Sequence, residues 1–286
     1  MSTASPSPCA IVYSGGTDST CVAALAAEKH AAVHLLTYYE RGTRHSPAPT
    51  GNVRLLRDKY RAVSFAHHVI STDRLVRFIS YERYLRCLLR YRLYVLATPG
   101  FSSLSWHVRT LLYCRQHGIP QVYDGLTREL MQFPGHMDLV IEEFRRMYGH
   151  FGIAYDNPVR GWETPPDIQF LDRLIVDQHG YCLPSEQHER ELRRTTGQYL
   201  YDRNILPRPN VKGSPLDRAM QHDCYPFVLY NVMAFWVAMN LMSYERFCER
   251  IAALFREKIA MLIPLLSDYL DRVPHNPLSR CIENAP

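Results

Sequence analysis

Short apolar runs separated by helical stretches set the plan of the first half of the chain. Ile11, Val12 and Tyr13 form a β-forming run that stops at Ser14-Gly15-Gly16, and the small and apolar residues Val22 to Ala27 then continue as a helix. Ala31 to Tyr39 and Val63 to Ser71 read as two further buried strands. Between them Asn52 to Arg61 is amphipathic, with a basic outer face. Asp73 to Leu96 predicts one long helix rich in Arg, Tyr and Leu, broken by Thr98-Pro99-Gly100. Ser102 to Gln116 predicts another, stopping at Gly118. Gln121 to Thr127 is a short strand with Asp124-Gly125 inside its end, and Met131 to Tyr148 reads as a loop and a helix. This alternation predicts an α/β fold, a doubly wound parallel sheet with ligands outside the carboxyl ends of its strands.

From Gly152 the texture changes. Asn157-Pro158, Thr164-Pro165-Pro166 and Pro207 to Pro215 punctuate the chain, and Phe227 to Val273 reads as largely helical. Phe247, Ile251, Leu254, Phe255, Ile259 and Leu262 recur at helical spacing. The expected organisation is an α/β domain over residues 1–155 and a mostly helical region over 156–286 that supplies a substrate or interface surface.

Composition narrows the partners. With 286 residues, 47% hydrophobic and 21% charged, the chain can bury a sizeable core. A formal charge of +5 suits anionic small molecules, and no Lys/Arg run marks a dedicated nucleic-acid surface. The eight cysteines are scattered singly without a C-x-x-C pair, which argues against a disulfide scaffold or structural zinc. His67 and His68 adjoin on one strand, so they point to opposite faces and do not share a metal. The apolar stretch Pro226 to Met242 is short for a bilayer and polar residues interrupt it. The expectation is a cytoplasmic protein with reduced thiols and no membrane partner.

The stretch Ala10 to Thr20, AIVYSGGTDST, carries the chemistry. A strand, a tight turn with two glycines and a helix start bring free N–H groups, the positive end of a helix dipole and several hydroxyls to one point, which holds phosphate. It is neither a Walker A loop nor a G-x-G-x-x-G turn. Ser-Gly-Gly-x-Asp-Ser in this context resembles the signature of the PP-loop ATP pyrophosphatases, members of the adenine nucleotide alpha-hydrolase-like superfamily with a HUP-like domain. The resemblance implies ATP and Mg²⁺, with Ser14, Gly15, Gly16, Thr17, Asp18, Ser19 and Thr20 holding the diphosphate and Asp18 meeting the metal. It also makes Thr37 and Tyr38 wall residues of the nucleotide site, against the alternative that they only pack on the first helix. Asp124-Gly125 resembles the family's second nucleotide-contacting turn, the alternative being a hairpin.

The family accepts ammonia, an amine or sulfur as nucleophile. Cys114, flanked by Arg115 and His117, and Cys224, beside His222 and Asp223, are the two candidate sulfur carriers. A packed structural cysteine is the competing reading of each, and for Cys21 it is the preferred one. The plan is similar to small bacterial PP-loop proteins that thiolate a nucleobase, among them the ATP pyrophosphatase of bacterial 6-thioguanine biosynthesis. That likeness implies adenylation of a carbonyl oxygen of a guanine-like base or nucleotide, replacement of AMP by sulfur, and a cysteine desulfurase as donor. The rivals are an amide- or nitrile-forming ligase using ammonia, a tRNA thiolase, and a nucleotide-binding module without catalysis. Tyr225, Phe227, Tyr230, Phe235 and Trp236 suit either a homodimer interface or a cap over the cleft.

Overall fold

The computed structural model describes residues 7–40, 49–92, 100–128, 133–162, 195–209 and 239–282, together with Tyr94, Val211, Leu216, Met220 and Tyr230. Five strands, β1 (Cys9–Val12), β2 (Ala32–Tyr39), β3 (Ser64–Ser71), β4 (Gln121–Asp124) and β5 (Ala154–Asp156), form one sheet in the order β3-β2-β1-β4-β5. Every pairing is parallel. Wholly parallel strands need both faces covered, and the four residues of β1 are accordingly buried and apolar. This is the expected doubly wound α/β sheet. Strand order runs outward in both directions from the β1–β4 pair, so the crevice beyond Val12 and Asp124, which pair in register, is the topological switch point.

Helices cover the two faces separately. On one lie α1 (Thr17–Ala27), α2 (Pro49–Lys59) and α7 (Thr196–Asp202), closing a core with Ile11, Tyr13, Val22, Leu35, Leu56 and Leu200. On the other lie α3 (Asp73–Tyr81), α4 (Tyr84–Tyr91), α5 (Phe101–His117), α6 (Asp138–His150) and the 27-residue α8 (Tyr244–Leu270). There Leu104, Val108, Phe144, Phe247 and Phe255 share one core with Ala10, Val12 and Leu36. Helix α8 therefore packs on the α/β layer itself, and Glu143 of α6 ties them through Arg256 at 2.7 Å.

Two features depart from the pattern-based expectation. The helix expected over Asp73 to Leu96 is two helices, because Arg83 takes a left-handed conformation (φ 55°) without any glycine or proline nearby. The cause is tertiary: Lys258 of α8, buried among apolar groups, donates from Nζ to the Glu82 carbonyl at 2.5 Å and so takes over the end of α3. Strand β5, only three residues long, was not expected at all. His67 and His68 do face opposite sides, His67 toward Thr37 and Tyr13 and His68 toward Tyr113 of α5. No helix among the described residues is long and apolar enough to cross a membrane.

Candidate functional site

The glycine loop leaves β1 at the switch point. Tyr13 still belongs to the sheet, its amide bonded to the Leu36 carbonyl at 2.9 Å. Gly15 then turns the chain with φ of 86°, a conformation that side chains disfavour, and Gly16 is the N-cap of α1. The first helical bond runs from the Thr20 amide to the Gly16 carbonyl at 3.0 Å. The amides of Thr17, Asp18 and Ser19 accordingly have no acceptor within the helix, as at every helix start. Ser14 is exposed, and its Oγ lies 3.1 Å from Ser19 Oγ and accepts from the Gly16 amide at 3.3 Å. Thr17 Oγ1 is buried and has no hydrogen-bond partner among the described residues. The amides of the helix start, the exposed Ser14 hydroxyl and the positive end of the α1 dipole thus lie together at the end of β1, an arrangement that suits an anion.

Underneath, the loop is braced by residues that sequence reading passed over. Asn52 of α2 donates from Nδ2 to the Gly15 carbonyl at 2.6 Å and lies 3.3 Å from Thr20 Oγ1. Thr20 is fully buried, with its hydroxyl 3.2 Å from Tyr13 Oη and 3.4 Å from the Gly15 carbonyl. Its side chain therefore supports the loop from below and does not present its hydroxyl to the open side. An asparagine inside an amphipathic helix gives no sequence signal of such a contact.

Asp18 is reached from 178 residues along the chain. Thr196 at the start of α7 donates to Asp18 Oδ1 at 2.6 Å, and one helix length away Tyr199 and Arg203 both hold Glu28, at 2.9 and 2.7 Å. The Arg203 guanidinium also lies over the Tyr199 ring at 3.4 Å. Helix α7 is so pinned along α1 at both ends, with its first turn beside the loop. Among the described residues no cluster of three His, Cys, Asp or Glu side chains could hold a metal.

Asp124 and Gly125 come to the loop from β4. A Cβ on Gly125 would fall 2.7 Å from the Ser19 nitrogen and 2.8 Å from its Cα, so only glycine lets this turn lie against the first turn of α1. The turn does not open a hairpin, since β5 pairs with β4 in parallel. The Asp124 carboxyl points to the other face, where Oδ2 lies 3.5 Å from His107 Nε2 and accepts from Tyr155 Oη at 3.5 Å. Burial lifts Asp124 to about 7 and holds His107 down to about 3. Between about pH 3 and about pH 7 the two face each other as neutral carboxyl and imidazole, and His107 Nδ1 is held by Tyr148 Oη at 3.1 Å.

The remaining expected residues are placed less centrally. Thr37 is buried on the α1 side, its hydroxyl 2.9 Å from His67 Nε2, and burial lowers His67 to about 4. Tyr38 turns to the opposite face, bonded to Thr110 at 2.7 Å and stacked on Trp106, so it is a core residue of the α5 layer and not a wall of the loop side. Cys114 is a correction. The helix it ends runs antiparallel to the strands and leads through Gly118 into β4, which places this thiol beside Cys9 at the opposite end of the sheet from the loop. It is fully buried, and burial pushes it up to about 12, the reverse of what a sulfur carrier needs. Cys21 packs in the core as expected. Cys224 lies outside the described residues.

No family model and no curated protein sequence matches the chain. Among solved structures, one that matches is the crystal structure of a 4-thiouridine synthetase in complex with RNA and bound ATP, at 13% sequence identity and a TM-score of 0.37. The match covers 89% of this chain and 53% of that one, so the chain spans about half the length of the solved relative.

Proposed function

We propose that the chain is an ATP-dependent adenylating enzyme that activates a carbonyl oxygen of a small heterocycle, such as guanine or GMP, for replacement by sulfur. The observation that carries this reading is the loop itself. Exposed Ser14, the Gly16 amide, the Thr17 hydroxyl, which has no partner among the described residues, and the start of α1 stand together at the switch point of a parallel sheet. The carbonyl oxygen attacks the α-phosphorus, the bond from that phosphorus to the bridging oxygen breaks, and pyrophosphate leaves. Hydrosulfide then adds to the activated carbon, AMP departs and a proton is released, giving the thiocarbonyl. The loop amides and hydroxyls hold the departing diphosphate in place, so the residues act by positioning and by balancing charge.

Asp18 fits a Mg²⁺ ion that takes its other ligands from phosphate and water, as sites built on one carboxylate do. Such an ion supplies charge neutralisation on the diphosphate. The region 156–286 provides the acceptor's binding surface in this reading, a role supported by Thr196 at the loop. Because Cys114 is sealed at the far end of the sheet, sulfur arrives from a donor such as a cysteine desulfurase or through Cys224. The alternatives keep the same loop and change the nucleophile or the acceptor.

The test is release of pyrophosphate and AMP from Mg-ATP with guanine, GMP or a uridine-containing RNA as acceptor and sulfide or ammonia as nucleophile, products being weighed by mass spectrometry. Exchange of oxygen for sulfur in a small heterocycle is the expected result, abolished in Asp18→Ala. A product with ammonia alone would replace thiolation by C–N ligation, a thiolated RNA would change the acceptor, and ATP binding without pyrophosphate would end the enzymatic reading.

A further inference from the structure

Two adjacent glycines leave the peptide between them weakly restrained, because neither has a Cβ to limit its rotation. Yet the Gly15–Gly16 peptide must hold one orientation for the loop to receive an anion: its N–H has to face the phosphate and its carbonyl has to face away. A trans peptide carries these two groups on opposite edges of one plane, so whatever fixes the carbonyl also aims the amide.

We infer that Asn52 is the positioning residue of the glycine loop, gripping the Gly15 carbonyl so that the Gly16 N–H is presented to the terminal phosphates of ATP. The side chain is buried, at 4% exposure, and its Nδ2 contacts the Gly15 carbonyl at 2.6 Å, Thr20 Oγ1 at 3.3 Å and Met220 Sδ at 3.1 Å. The Thr20 hydroxyl reaches the same carbonyl at 3.4 Å, a weaker contact. On the opposite edge the Gly16 amide points to the exposed Ser14 hydroxyl at 3.3 Å, which is the open side of the loop. Without the asparagine donor the peptide can rotate and turn its carbonyl oxygen toward the anion, replacing an attraction by a repulsion. Met220 lies 168 residues away, so this amide is also held from the helical region.

The inference rests on the reading of the loop as a diphosphate site, and the experiment separates the two. Binding of Mg-ATP, inorganic pyrophosphate and AMP is measured by calorimetry for the wild-type chain, Asn52→Ala and the isosteric Asn52→Asp, with thermal unfolding as a check that each variant folds. The expected result is dissociation constants for ATP and pyrophosphate raised about ten-fold or more in both variants, the scale of losing one buried hydrogen bond and freeing its acceptor. AMP, which lacks the terminal phosphates, should change less than about two-fold. Equal weakening of AMP would mean a general structural role and overturn the inference, as would unchanged ATP and pyrophosphate binding in both variants. A wild-type chain that binds neither ATP nor pyrophosphate would overturn the diphosphate reading first and this inference with it.

Discussion

His107 Nε2 and Asp124 Oδ2 lie 3.5 Å apart in the layer beneath the switch point, and burial keeps both uncharged. The pair carries one proton, on the carboxyl, from about pH 3 to about pH 7. In the unfolded chain the ordinary values of 3.8 for the carboxyl and 6.5 for the imidazole mean that one proton is also carried between those limits, there on the imidazole. Equal proton counts make stability level with pH across that window.

Removing either partner should expose the slope of the other. In Asp124→Asn the native His107 stays neutral down to about 3 while the unfolded chain binds a proton below 6.5, so stability falls as pH falls through that range. In His107→Gln the native Asp124 keeps its proton up to about 7 while the unfolded chain loses it above 3.8, so stability falls as pH rises. Each slope approaches about 1.4 kcal/mol per pH unit at its steepest. Urea unfolding from pH 4 to 7 measures both, and slopes of the same sign in the two variants would refute the neutral pair.

Gly125→Ala should cost about 2 kcal/mol in unfolding free energy, because the added carbon meets backbone atoms of Ser19 that have no rotamer with which to yield. Pyrophosphate binding should weaken in the same variant, since relief requires the first turn of α1 to move. A variant as stable as wild type and unaltered in binding would show that the turn and the helix are not in contact.

Thr196→Val keeps the shape of the side chain and deletes its hydrogen bond to Asp18. A loss of about 1 kcal/mol is expected, the carboxylate being only half-buried and able to recruit water, and Thr196→Ser should restore it. Chemical denaturation measures the loss. If valine and serine behave alike, the hydrogen bond to Asp18 does not help to hold α7.

Cys114→Ser should lower stability by about 1–2 kcal/mol, as a hydroxyl enters an apolar pocket. Pyrophosphate release should stay within about two-fold of wild type, the range of a surface-scale energy change. In the folded protein Cys114 should resist thiol reagents, reacting only on unfolding. Rapid labelling under native conditions would contradict its burial.

The strands β1 to β4, the helix start that follows the glycine turn, the helix read from Ser102 and its stop at Gly118 were legible because each is written locally, as an apolar run or a glycine. The loop was legible for the same reason. What escaped was decided by distant residues. The break at Arg83 depends on Lys258, 176 residues beyond the carbonyl it caps, and β5 is too short to show a period. Asn52, Thr196 and His107 look like ordinary helical residues until the fold sets them against Gly15, Asp18 and Asp124. Cys114 misled for the converse reason: its basic neighbours in sequence point to reactivity, whereas the direction of its helix decides which end of the sheet it reaches.

The hydrogen bond between Thr196 and Asp18 closes a loop of 178 residues. At ordinary rates of synthesis, about 10–40 s separate the emergence of one partner from that of the other. Throughout that interval neither Thr196 nor the Met220 that backs Asn52 has been made. On the proposed reading, competence to bind at the glycine loop comes late in the birth of the chain, and a truncation before α7 should leave the signature intact in sequence and slack in structure.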